Sequence, residues 1–180
     1  MRKVIVDIDN TLWDLASVLY ERMRTVNPAL TPPSEWHDFN FWKRYISPRA
    51  FFNLIRDIHM DQDMFTPYQD AGLFLTSLKE IGFHIIIASH REKGTLDASV
   101  RWLQINNLVF DEIHLSYDKT VLFDMCWGIV DDSPFALHKA KKAGIVGAGL
   151  EMPWNEYEDY PLFGNLGEIL QYLKGKLNHF

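Results

Sequence analysis

The sequence predicts an α/β fold, with a mainly parallel sheet between two layers of helices. Three observations carry that expectation. Short apolar runs rich in β-branched residues recur along the chain, amphipathic stretches of helical length separate them, and the runs end in small or polar residues. Alternation of this kind builds βαβ units, and hence a Rossmann-like three-layer α/β/α core. With 180 residues, 47% of them hydrophobic, the chain can form one packed core and a small appended unit.

The first run, "KVIVDI" at 3–8, is too short for a typical helix and reads as a strand buried on both faces. After it the alternation breaks. Residues 15–68 hold no strand-like run and contain "NPALTPP", "EWHDFNFWKRY" and "SPRAFFNLI". Pro28, Pro32 and Pro33 end one helix before the next begins, so this segment is expected to form a small α-helical cap. Residues 1–14 and 69–180 would then form the core. A helix over 70–81 leads to a strand at 83–89, and a helix over 95–107 leads to a strand at 112–116. A further strand is expected at 127–132.

The helix over 134–143 carries the clearest punctuation. Ser133 is its N-cap, Pro134 takes the first helical position, Lys139, Lys141 and Lys142 lie near its end, and Gly144 follows. Residues 144–149 form the next expected strand. A last helix over 166–177 places Leu166, Ile169, Leu170 and Leu173 on one face and closes the domain.

Charge and cysteine content narrow the function classes. A formal net charge of −6 gives no general attraction to a phosphate backbone, so polymeric nucleic acid is not an expected partner. The single cysteine, Cys126, rules out an intramolecular disulfide framework and, in the run "VLFDMCWGIV", reads as a buried thiol. No apolar stretch approaches the length of a membrane span, since Asp7 and Asp9 interrupt the first one at once. A cytoplasmic protein without a membrane partner is the expectation.

In a parallel α/β sheet, ligands bind beyond the carboxyl ends of the strands. Those ends present Asp7 and Asp9, then Ser89 with His90 and Arg91, then Lys119, then Asp131 and Asp132. Residues two apart on an extended strand share a face, so Asp7 and Asp9 can flank one group if the strand persists that far. Read singly, each residue has a plainer explanation. Asp7 and Asp9 would cap a helix, Ser89 would be a turn residue, Lys119 a solvated charge, and Asp131 and Asp132 an acidic pair at a helix start. Taken together, carboxylates from two strands with a cation and a hydroxyl suit a hard metal ion and a phosphate. Metal-assisted phosphoryl chemistry is the inference.

In this order, "DIDNT", "IIIASH", "YDKT" and "IVDDS" resemble the motifs of phosphotransferases in the haloacid dehalogenase-like superfamily. The resemblance spans the core, with the insertion where many members carry a helical cap. It implies that Asp7 is the nucleophile that forms an aspartyl-phosphate, and that Asp9 is the acid and base. It further implies that Ser89 donates to phosphoryl oxygens and that Lys119 pairs with nucleophile and phosphate. Mg²⁺ is the implied cofactor, held by Asp7, the Asp9 backbone carbonyl and Asp132, with Asp131 beside it or exchanging that role. The second aspartate, Asp9, points to a phosphatase and away from dehalogenation.

The chain is also similar to the 5'(3')-deoxyribonucleotidase branch, through "YDKT", "VDD" and the aromatic density of the insertion. That likeness implies a nucleoside monophosphate as substrate, with Trp36, Phe41 and Trp42 available to its base. Most of the insertion's aromatics are expected to build its own core. Asn10-Thr11 and Ser89-His90-Arg91 stand where that branch favours Gly-Val and Thr-Ser-Pro. "DNTLWD" resembles magnesium-dependent phosphatases of sugar phosphates or phosphotyrosine. His90 and Arg91 read equally as contacts to a substrate oxygen or as a surface loop. A phosphate-binding regulatory module without turnover is the non-enzyme alternative, and it would be expected to lack one of Asp7, Asp9, Ser89, Lys119 or Asp132.

Overall fold

The computed structural model describes residues 1–157 and 159–177, so residue 158 and residues 178–180 of the expected core lie outside the described residues. Six strands form one sheet: β1 (Arg2–Val6), β2 (Phe83–Ser89), β3 (Glu112–Leu115), β4 (Gly128–Val130), β5 (Val146–Leu150) and β6 (Leu162–Phe163). Their order is β3-β2-β1-β4-β5-β6, and every pairing is parallel. Helices α1 (Leu15–Val26), α2 (Pro48–Met60), α3 (Ala71–Glu80), α4 (Leu96–Ile105), α5 (Pro134–Ala143) and α6 (Leu166–Leu177) cover its faces. Among the described residues, no helix is long and apolar enough to cross a membrane.

The period of two along a strand distributes the core to both faces of the sheet. Val4 and Val6 of β1 join Ile85 and Ile87 of β2 in the larger cluster, with Phe74, Leu75 and Leu78 of α3 and the apolar stripe of α6. Ile5 points the other way, joining Ile86, Ala88, Ile129, Leu122 and Phe123 together with Ala140 of α5. β1 is therefore buried on both sides, which is why it reads as a continuous apolar run.

Strand β2 and helices α5 and α6 have the expected bounds. Ser133 caps α5, its hydroxyl accepting from the Ala136 amide at 3.5 Å, and Gly144 ends it at φ 73° in the left-handed region. The other expected elements differ in extent by a few residues, and β6 has only two residues, too few to show a period. The difference that matters is in β1, which ends at Val6. The Asp7 amide still bonds the Val130 carbonyl at 2.9 Å, but the Ile8 carbonyl then accepts from the amides of Thr11 and Leu12 at 3.3 and 2.8 Å. Asn10 takes φ 53°, and the chain turns. Asp9 thus stands on a turn, and the strand geometry that would have placed it beside Asp7 on one face does not reach it.

Residues 15–68 supply α1, α2 and short 3-10 turns, with no strand. The Asp14 side chain caps α1 by accepting from Ser17, and Ser47 caps α2 ahead of Pro48. Leu19 and Met23 of α1, Trp36, Phe41, Trp42 and Ile58 of α2 belong to the same continuous cluster as β1 and β2. This segment shares its apolar packing with the sheet.

The strand ends approach one another closely at Gly149. A Cβ there would lie 2.3 Å from the Asp131 carbonyl oxygen and 3.2 Å from Leu137 Cδ1, so Gly149 is required by the backbone beside it. Gly149→Ala is expected to lower stability in urea denaturation by about 1–3 kcal/mol, the range for overpacking. Gly94→Ala, where no atom lies within 4 Å, is the control. Equal losses at the two positions would contradict this packing.

Candidate active site

Parallel strands of the sheet end together, and the residues just past them form a charged cluster. Asp7 follows β1, Ser89 ends β2, Lys119 follows β3, and Asp131 and Asp132 follow β4. Lys119 is placed by a 3-10 turn whose N-cap, Asp118, accepts from the Thr120 amide at 3.0 Å. Its buried ammonium donates to Asp7 Oδ1 at 2.5 Å and to Asp131 Oδ2 at 2.6 Å. The other oxygen of Asp131 accepts from the Ser133 amide at 2.9 Å, which ties the cluster to the start of α5. Asp132 Oδ2 accepts from Trp154 Nε1 at 3.1 Å and Asn10 Nδ2 at 3.3 Å. Among the described residues no protein donor reaches Asp132 Oδ1.

Oxygens of Asp7, Asp131 and Asp132 lie within 4.8 Å of one another, all on buried residues. Three carboxylates therefore share one cation. Burial pushes the Asp7 carboxyl up to about 7, with Asp131 and Asp9 adding to the rise and Lys119 opposing it. Burial likewise raises Asp132 well above the usual carboxylate range, reinforced by Asp131 and Asp7. Burial works against the charge on Lys119, but Asp131 and Asp7 outweigh it and hold the ammonium protonated. An oxygen-only donor set short of positive charge fits a hard divalent cation. Asp7 and Asp132 are the side chains with an oxygen to offer, because both oxygens of Asp131 already accept protein donors.

Asp9 belongs to a separate network. Arg91 grips its carboxylate with two bonds, Nε to Oδ2 at 2.9 Å and Nη2 to Oδ1 at 2.5 Å. Ser89 Oγ donates to Oδ2 at 3.0 Å, and Trp13 Nε1 to Oδ1 at 2.9 Å. His59 of α2 places Nε2 3.2 Å from Oδ2. Burial works to raise the Asp9 carboxyl, but Arg91 and His59 prevail and hold it well below the usual range. Burial and Arg91 lower the His59 imidazole. Asp9 is thus an anion, and Ser89 is occupied with it.

These groups line a cavity of about 460 Å³. Leu15 and Leu19 of α1 and Ile55 and His59 of α2 form part of its wall, and Phe39 meets Phe135 of α5 edge to face at 5.6 Å. Trp36, Phe41 and Trp42 do line it, but they are buried and largely paired. Trp36 stacks on Phe41 with ring centroids 3.7 Å apart, and Trp42 on Phe51 at 4.2 Å. Each ring has given one face to internal packing, as expected for most of this set. His90 is exposed and meets Tyr117 edge-on at 4.8 Å. Arg91, by contrast, is fully buried and spent on Asp9, Gln62 and Ser99, so a direct contact to substrate is not its place here.

Sequence reasoning missed His59, Gln62, Trp13, Asn10 and Trp154. Asn10 could have been found as part of "DIDNT", and Trp13 from its spacing of four from Asp9. Nothing in the local pattern marks His59, Gln62 or Trp154.

No family model matches the chain, and no curated protein matches it significantly. Solved structures do. A haloacid dehalogenase-like hydrolase from Streptococcus pneumoniae has a TM-score of 0.68 at 16% identity, over 96% of this chain and 98% of that one. A structure described as a predicted phosphatase from Clostridium acetobutylicum has a TM-score of 0.67 at 18% identity, over 97% and 98%. One described as a putative beta-phosphoglucomutase from Thermotoga maritima has 0.66 at 17%, over 97% and 99%. The chain has the Rossmann-like fold of these hydrolases, a six-stranded parallel sheet with helices on both sides.

Asp9→Asn would leave the Arg91 guanidinium buried without its counter-charge. Removing one member of a buried pair typically costs about 3–5 kcal/mol, and a loss of that size is expected in urea denaturation. A loss below about 1 kcal/mol would place the two groups in water and contradict the geometry.

Proposed function

We propose that the chain is a divalent-metal-dependent phosphomonoester hydrolase that works through an aspartyl-phosphate on Asp7. The observation that carries this reading is the buried group of Asp7, Lys119, Asp131 and Asp132 at the floor of a cavity sized for a small molecule. The fold shared with solved haloacid dehalogenase-like hydrolases supports it.

Lys119 holds Asp7 by Oδ1, and Oδ2 has no protein donor among the described residues. In the first step a lone pair of the Asp7 carboxylate attacks phosphorus, the ester P–O bond breaks, and the alcohol leaves with that electron pair and a proton that Asp9 relays from the phosphate monoanion. Lys119 offsets the charge gathered on the oxygens around phosphorus. In the second step Ser89 turns from Asp9 Oδ2 to a phosphoryl oxygen, and Asp9, the anion that Arg91 maintains, takes a proton from water on the oxygen so freed. The water oxygen attacks phosphorus, the bond to Asp7 breaks, and inorganic phosphate and the Asp7 carboxylate are released. Asp9 then passes that proton to the departing phosphate and is again the anion that Arg91 holds. Mg²⁺, held by Asp7, Asp132 and the Asp9 backbone carbonyl, would offset the repulsion between nucleophile and phosphate.

The cavity favours a small phosphorylated substrate over a protein, because its volume is that of a small-molecule site and Phe39 and Phe135 meet edge to face in its lining. A nucleoside monophosphate is the substrate class to test first, since aromatic side chains supply much of the wall. Sugar phosphates are the comparison class. The regulatory-module alternative is disfavoured, as every group the two steps call on is brought into one cavity.

Asp7→Asn is expected to reduce phosphate release from 4-nitrophenyl phosphate by about 10³-fold or more while the melting temperature is retained. Activity near the parent's would remove Asp7 from the nucleophile's role. Mg²⁺ is expected to raise the melting temperature of the parent and not of Asp132→Asn. The pH dependence follows from Asp7, whose carboxyl lies at about 7 in the folded protein against 3.8 normally. Between those values the folded state holds a proton that the unfolded state lacks, so metal-free stability falls as pH rises through the window. Metal binding needs the carboxylate, so the Mg²⁺ shift should be larger near pH ~7.5 than near pH ~5. A shift independent of pH would contradict Asp7 as a ligand.

A further inference from the structure

Arg91 is one of the largest fully buried side chains in the protein, yet it carries a charge. A guanidinium has five N–H donors in a fixed fork. Here Nε and Nη2 hold the two oxygens of Asp9, while Nη1 donates to Gln62 Oε1 and, at 2.9 Å, to Ser99 Oγ. Ser99 is fixed in turn, its hydroxyl donating to the Thr95 carbonyl within α4 at 2.9 Å. Gln62 lies in the 3-10 turn directly after α2, the helix that also brings His59 to Asp9. One side chain therefore spans three elements: the turn after β1, the start of α4 and the inserted segment. Because Asp9 stands on a turn and not on the strand, the backbone alone does not fix its carboxylate.

We infer that Arg91 is the positioning residue for Asp9, fixing the carboxylate that activates water in the dephosphorylation step and, through Gln62, making that placement depend on how the inserted segment docks. The inference rests on the phosphatase reading above. Arg91 itself touches no reacting atom. Its bidentate grip sets both the distance and the plane of the carboxylate, which a single-point cation cannot do. A base displaced by about 1 Å can lose on the order of 10²-fold in rate. The first step with a nitrophenyl ester needs little help, because that leaving group departs as a stable anion. Loss of Arg91 should therefore fall mainly on the second step, and phosphorylated Asp7 should accumulate.

The test is stopped-flow release of 4-nitrophenol from 4-nitrophenyl phosphate with Mg²⁺, comparing the parent with Arg91→Lys. The expected result is a burst approaching one equivalent of 4-nitrophenol per enzyme, its rate within about fivefold of the parent's first turnover. It should be followed by a steady rate on the order of 10²-fold lower than the parent's. Loss of both phases in proportion, or an unchanged steady rate, would overturn the positioning role while leaving the phosphatase reading intact. A parent that releases no nitrophenol would overturn both. Should Arg91→Lys fail to fold, Gln62→Met decides the matter. It removes the Gln62 acceptor from Nη1, keeps the Arg91–Asp9 pair, and deletes an amide whose nitrogen is buried without a partner. The same pattern is expected at about tenfold in the steady rate, and a proportional fall of both phases or no change would overturn the inference.

Discussion

Three carboxylates meet at the buried carboxyl ends of β1 and β4, and one lysine answers them. Most features of the site depend on that imbalance. The sheet brings Asp7, Asp131 and Asp132 together because β1 and β4 are adjacent parallel strands that end at the same level. Charges buried this way cost free energy unless they are paired or coordinate a metal. Lys119 meets part of that need, and protons or a divalent cation must meet the rest. The geometry that makes the site strained without a cation is also what would place a nucleophilic carboxylate beside one.

Asp9 shows a different solution to the same problem. Its charge is held by hydrogen bonds from Arg91, Ser89 and Trp13, with His59 close beside it, so it stays ionised where Asp7 and Asp132 are driven toward the neutral form. Two carboxylates two residues apart in sequence are thus pushed in opposite directions by their surroundings. Asp9 is the anion a base must be, while Asp7 becomes the nucleophilic carboxylate only as its proton leaves, which a bound cation would favour. The inserted segment takes part in it through His59 and Gln62, which gives residues 15–68 a chemical connection to the core beyond walling the cavity.

The sheet and its helices were legible because their signals are local: β-branched runs, amphipathic spacing, and the Ser133, Pro134 and Gly144 punctuation of α5. The charged residues were legible as a group because parallel strands bring their ends together wherever the strands lie in the chain. What could not be read was how each side chain is used. The turn at Asn10 is set by the Ile8 carbonyl and takes Asp9 off the strand, and no sequence period reports it. Arg91 read equally as a contact to substrate or as part of a surface loop, since nothing in "ASHR" shows that Asp9, Gln62 and Ser99 converge on it. The aromatics of the insertion were readable as packing but not as pairs, because stacking partners such as Trp42 and Phe51 are chosen by the fold.

The most direct test of the central claim is to trap the acyl phosphate. The protein would be mixed with 4-nitrophenyl phosphate and Mg²⁺, quenched in acid during turnover, reduced with borohydride and mapped by peptide mass spectrometry. The account requires the reduced residue, homoserine in place of aspartate, at position 7 and at no other carboxylate. Phosphate release with no modified carboxylate, or with the mark on Asp9, Asp131 or Asp132, would contradict it.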